Sequence, residues 1–148
     1  NIQILERTPI AIAFRQNENG EEKGFIDLEG NWLSFIKPIQ SPTNTNELII
    51  DGWEDSKRYL IKKIIINQAK LDLALKRIIF DQNGEIRLQT EEFVIVHLGN
   101  NPSILSLQLE VLSHLAKALP EDLMNESNSI LDLKNPSKPK ISESNKKE

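Results

Sequence analysis

The sequence predicts an α+β fold, a mostly antiparallel sheet with two main helices packed on one face. Three observations predict it: apolar residues alternate in several short runs, two segments carry apolar residues at helical spacing, and turn residues between the runs send the chain back on itself.

Residues 2–16 alternate, with Ile2 and Ile4 and then Ile10, Ile12 and Phe14 on one parity, which is the pattern of a half-buried strand. Pro9 has no N–H to give a ladder and marks a bend or strand start between the two runs. The polar stretch 16–22, with Asn19-Gly20, predicts a hairpin turn into a strand over 24–28. Glu29-Gly30-Asn31 predicts a second turn, into Trp32-Leu33-Ser34-Phe35. Pro38, Pro42 and a run of Ser, Thr and Asn make 37–47 a loop, after which Leu48-Ile49-Ile50 reads as a short strand.

Asp55 or Ser56 then caps a helix from Lys57 to about Gln68, with Leu60, Ile61, Ile64 and Ile65 inward. The three consecutive isoleucines work against it, because β-branched side chains lose rotamer freedom in a helix. Residues 73–80, 86–89 and 93–98 read as three strands of a meander, joined by Asp81-Gln82-Asn83-Gly84 and Thr90-Glu91-Glu92. The clearest helix runs from Pro102 to Leu119, since Leu105, Leu109, Leu112, Ala116 and Leu119 form one stripe, with Asn101 as cap and Pro102 at the first position. Ile130-Leu131-Asp132-Leu133 is the last expected strand. From Asn135 to Glu148 the chain is Pro, Ser, Lys, Asn and Glu with hardly an apolar residue, and a flexible tail is expected there.

Composition narrows the function. A formal charge of -4 and no basic stripe argue against nucleic acid, whose phosphates demand a concentrated excess of Lys and Arg. No apolar run approaches the roughly 20 residues that cross a bilayer. With no cysteine there is no disulfide, thiol nucleophile or zinc–thiolate site. The chain opens at Asn1 directly on a strand-like run, so a longer parent protein is expected.

Catalytic signals are sparse. His97 falls in a predicted strand on the parity opposite Val96 and Leu98, a sheet-surface position, and His114 has only Glu110 at helical spacing for a metal or acid/base partner. Glu18, Glu21 and Glu22, and Glu91 with Glu92, sit in polar turns. The Gly-containing segments match neither a phosphate-cradling loop nor a dinucleotide fingerprint. Trp32 and Trp53 read as packing residues, with interface anchors as the other option. A hydrolase would have to draw on Asp27, Asp132 or His97 converging in a cleft. No cofactor, no metal and no enzymatic activity are expected.

Several strings resemble the FtsQ/DivIB family of bacterial cell-division proteins. Asn1-Ile2-Gln3-Ile4-Leu5-Glu6-Arg7-Thr8-Pro9-Ile10-Ala11 is similar to the family's junction, where the last strand of a POTRA domain ends in Glu-Arg-x-Pro-x-Ala and enters the β domain. Phe25-Ile26-Asp27-Leu28-Glu29-Gly30, Val96-His97-Leu98-Gly99 and Ile130-Leu131-Asp132-Leu133-Lys134-Asn135-Pro136 follow in the family's order. The resemblance implies that 1–8 end the POTRA domain, 9–134 form the β domain and 135–148 a tail. It implies a parent anchored in the inner membrane by one upstream helix, facing the periplasm at the division septum. Such a domain binds FtsB-like and FtsL-like division proteins and regulates septal peptidoglycan synthesis without catalysing anything.

The implied mode is strand addition at an exposed sheet edge, the last strand. Carried onto this sequence, the partner-binding residues are Ile130, Leu131, Asp132, Leu133, Lys134 and Asn135, with Lys134 in place of a family Arg. Pro136 and Pro139 depart from the family pattern and shorten the expected edge. The alternative is a POTRA-linked module of an outer-membrane assembly or secretion factor.

Overall fold

Alternating apolar residues become strands wherever neighbours complete a ladder. The computed structural model, which describes residues 10–33, 48–118 and 129–143, contains nine of them. They are β1 (Ala11–Asn17), β2 (Gly20–Ile26), β3 (Trp32–Leu33), β4 (Leu48–Asp51), β5 (Leu75–Phe80), β6 (Ile86–Thr90), β7 (Ile95–Gly99), β8 (Ser129–Asp132) and β9 (Lys140–Glu143). All lie in one sheet, in the order β3-β2-β1-β4-β5-β6-β7-β8-β9. Residues 2–9, expected as strand and bend, the expected loop 37–47, and Ser34, Phe35 and Leu119 lie outside the described residues.

Helix α1 (Arg58–Leu71) carries the chain from β4 to β5, and α2 (Leu105–Ala118) lies between β7 and β8. A helical crossover returns the chain to the same end of the sheet, so β4/β5 and β7/β8 pair in parallel, as does β1/β4. The other pairings, β1/β2, β2/β3, β5/β6, β6/β7 and β8/β9, are antiparallel. The α+β arrangement with a mostly antiparallel sheet is therefore the one expected.

One face of the sheet carries the core. Ala13, Ile26, Ile50, Ile78, Leu88, Val96 and Leu131 are sealed from solvent, as are Ile61 and Ile64 of α1 and Leu105, Leu109 and Leu112 of α2. The two helices touch. Ser113 Oγ and Lys117 Nζ donate to the Leu71 carbonyl at the end of α1, at 3.2 and 3.1 Å. The isoleucine run stays helical because Ile64 and Ile65 are buried, and burying a large aliphatic side chain is worth about 1.5–3 kcal/mol, more than its helix-propensity deficit of roughly 0.7 kcal/mol or less.

Capping differs between the helices. Asn101 caps as expected, its Oδ1 accepting from Ser103 N at 3.1 Å, and Pro102 opens a 3-10 turn (Pro102–Ile104) that leads into α2. Before α1, neither Asp55 nor Ser56 caps. Both fall inside a 3-10 turn (Asp55–Lys57) whose cap position is Glu54, with no side-chain bond to the backbone. The Asp55 carboxylate pairs instead with Arg58, at 3.2 Å.

The β2–β3 hairpin is locked to the start of α1. Asp27 Oδ1 accepts from the backbone N–H of Glu29 and Asn31, both at 2.9 Å, and Trp53 Nε1 donates to the Gly30 carbonyl at 3.1 Å. Trp32 lies against Trp53, with ring centroids 5.3 Å apart, and the Arg15 guanidinium stacks 4.0 Å from the Trp32 ring. Both tryptophans thus pack, as the sequence suggests. Arg15 also donates to Glu22 at 2.9 Å, and that bond is the main reason the Glu22 carboxyl sits below the usual carboxylate range.

Gly30 has φ 82°, and a Cβ there would lie 2.5 Å from the Arg58 carbonyl oxygen, which is backbone and cannot swing aside. Gly30→Ala is expected to destabilise the fold by about 2–3 kcal/mol, from left-handed strain plus that clash. Urea unfolding measures it, and a midpoint equal to wild type would show that the hairpin can leave α1 without cost.

The C-terminal end departs from the sequence reading. Residues 135–148 are expected as tail, but β9 pairs with β8 along its whole length, in the register Ser129 with Glu143, Ile130 with Ser142, Leu131 with Ile141 and Asp132 with Lys140. A tight turn makes this possible. Asn135 Oδ1 accepts from Ser137 N at 3.1 Å and Ser137 Oγ at 3.0 Å, and Lys138 N donates to the Asn135 carbonyl at 2.9 Å.

Candidate docking edge

A sheet ends where backbone donors and acceptors lose their partners, and such an edge is a template for another strand. The described sheet has two edges. β3 is only two residues long, and β9 is four.

The expected partner-binding residues are not at either edge. Ile130, Leu131 and Asp132 lie in β8 between β7 and β9, so their backbone groups are already engaged on both sides. Leu133 N donates to the His97 carbonyl at 2.9 Å, and its side chain is sealed. Lys134 N bonds to Asp132 Oδ1, and Asn135 forms the turn to β9. The rim expected over Ile130, Leu131, Asp132, Leu133, Lys134 and Asn135 is therefore covered. The physical reason is that the turn at Asn135 folds the following residues back as one more strand.

Hydrogen-bond parity locates the rim that remains. Val94 N donates to the Ser129 carbonyl and Leu133 N to the His97 carbonyl, so the odd-numbered residues of β8 direct their backbone groups at β7. Ile130 and Asp132 are left to bond their opposite numbers, Ser142 and Lys140. Ser142 and Lys140 thus face inward. The N–H and C=O groups of Ile141 and Glu143 point away from the sheet, and on the N-terminal side Pro139 has no N–H to add.

This edge is fastened to the core through α2. Gln108 is 1% exposed, and its Nε2 donates to two backbone carbonyls, Leu98 at 2.7 Å and Leu133 at 2.8 Å. One amide nitrogen thereby ties the ends of β7 and β8 together beneath the helix. The sequence reading follows the leucine stripe on either side of Gln108 and does not single it out, since nothing in the sequence shows which carbonyls it meets.

The groups tested for catalysis are placed as follows. His97 and Asp132 stand side by side in register on β7 and β8, half-buried on the sheet face opposite the helices, with Arg87 beyond His97 on β6. Asp27 is in the distant β2–β3 turn. Glu110 and His114 are both exposed on α2. A groove of about 300 Å³ is lined by Ile10, Leu28, Leu48, Ile65, Gln68, Ala69, Asp72 and Leu73, and includes none of Asp27, His97 or Asp132. Among the described residues no three His, Asp or Glu side chains are grouped to hold a metal, and no helix is long and apolar enough to cross a membrane.

No protein-family model matches the chain, and no curated protein matches its sequence.

Proposed function

We propose that this domain is a non-enzymatic scaffold that binds a partner protein by strand addition along the outer rim of β9. One observation carries the reading: among the described residues, the C-terminal edge of the sheet presents N–H and C=O groups of Ile141 and Glu143 that no strand pairs, on a strand with one neighbour. The resemblance to the FtsQ/DivIB β domain supports the same reading, because that family docks partners on its last strand. The last strand is β9 rather than β8. Under this proposal the parent is a division protein anchored in the inner membrane, the domain faces the periplasm, and the partners are FtsB-like and FtsL-like proteins.

The test separates the two parities of β9. Ile141→Pro removes an outward N–H while leaving the bonds of Lys140 and Ser142 to β8, and proline is tolerated on an edge strand when its missing donor faces outward. The expected result is at least a roughly tenfold loss of affinity for the C-terminal segment of an FtsB-like protein, read by calorimetry, from a lost backbone bond and a donorless rim. Amide exchange should show β8 as well protected as in wild type. Unchanged affinity in a folded Ile141→Pro variant would end the proposal. Leu133→Pro is not informative, since the N–H it removes is bonded to His97 inside the sheet.

A further inference from the structure

The two sides of the β9 rim differ in chemistry, and that difference states what kind of strand fits it. This inference rests on the docking reading above. Leu131 is sealed against the helices, and Ile141 is its opposite number, so the Ile141 side chain emerges on the helix side of the sheet. It is nevertheless 50% exposed.

Helix α2 has an apolar flank on that side. Ser113 and Lys117 face α1, to which their side chains bond, and helical spacing puts Val111 and Leu115 on the flank away from it, toward β8 and β9. Val111 and Leu115 are partly buried against the core. Ile141 is one of five large apolar residues exposed among the described residues, and with the Val111 and Leu115 flank it forms an apolar step on the helix side of the rim.

The opposite face of the sheet carries a polar row. Pairing aligns Arg87, His97, Asp132 and Lys140 across β6, β7, β8 and β9. Among the described residues Arg87 Nε is buried with no hydrogen-bond partner, and the side chain of Lys140, exposed at the end of the row, makes no hydrogen bond or ion pair. The next position in this row belongs to whatever strand is added.

We infer that the rim selects an amphipathic strand, with aliphatic side chains toward Val111, Leu115 and Ile141 and a carboxylate opposite Lys140. Strand period makes the two demands compatible, since alternate residues of one extended segment reach opposite faces. The same period makes the selection strict, because a slip of one residue would expose the aliphatic groups and press the carboxylates against the apolar step.

Three capped heptapeptides test this against the whole 148-residue chain by fluorescence polarisation: alternating Val and Glu, alternating Val and Lys, and alternating Thr and Glu. The Val/Glu peptide is expected to bind about tenfold more tightly than Thr/Glu, from aliphatic burial on the helix side. It should bind about threefold more tightly than Val/Lys, the size expected of a cross-strand charge pair. Ile141→Thr, which keeps the backbone N–H, should remove the first preference, and Lys140→Glu should invert the second. Both positions are exposed, so both variants should fold. Equal binding of all three peptides, lost in Ile141→Pro, would overturn the inference and keep the docking edge. Binding that survives Ile141→Pro would overturn the docking edge itself. Failure of the Val/Glu peptide to bind at about 1 mM, a level that needs only some 4 kcal/mol, would also overturn the inference.

Discussion

Leu109→Ala is expected to lower the free energy of unfolding by about 3–4 kcal/mol, the upper part of the range for deleting buried leucine atoms. Leu109 is sealed at the centre of the α2 stripe, in the core formed with the sheet residues Val96, Leu88 and Leu131. Strands under a helix cannot collapse inward without breaking their ladders, so most of the vacated volume stays empty, and cavity cost adds to lost transfer energy. With domains of this size holding about 5–15 kcal/mol in total, the loss is a large share of stability. Chemical denaturation measures it. A change below about 1 kcal/mol would mean that α2 settles onto the sheet and the packing described is looser than drawn.

Gln108→Leu is expected to cost about 2–4 kcal/mol although it makes the core more apolar. The change removes the donor to the Leu98 and Leu133 carbonyls, both beneath α2, and leaves each acceptor without that bond at roughly 1–3 kcal/mol apiece, partly offset by the added apolar burial. Its effect should be local as well as global. The bonded carbonyls hold the ends of β7 and β8 together, so amide exchange should speed up most in β8 and β9, and partner binding should fall further than the drop in stability alone would predict. Uniform acceleration across the sheet would show that Gln108 does not specifically anchor the docking edge.

The contrast between these residues explains how much could be read from the sequence. Leu109 was legible because helical spacing reports burial, as it did for α1, while strand alternation and short apolar runs between turn residues located β1, β4 and the β5–β7 meander. Gln108 was not, because its role depends on two carbonyls that come together only when the strands are assembled. β9 escaped for a related reason. Lys140, Ile141 and Ser142 contain one apolar residue that is half exposed, so they carry no pattern of burial. The ladder to β8 and the Asn135 turn make them a strand.

The proposed docking residues shift accordingly. Ile130, Leu131, Asp132 and Leu133 have the apolar alternation of a strand, and from the sequence they look like the last one. That very alternation marks them as interior to the sheet, since Leu131 and Leu133 are sealed. An outermost strand is better betrayed by lysines and a nearby proline, as at Lys138, Pro139 and Lys140.

An open sheet rim is also a template for another copy of the same chain. Two copies related by a twofold axis through Ile141 would bring each Pro139 opposite a Glu143 backbone. Proline has no donor for that position, so the homotypic ladder loses a bond at each end and closes firmly only at its centre. The imino acid that shortens the edge therefore also weakens pairing of the edge with itself.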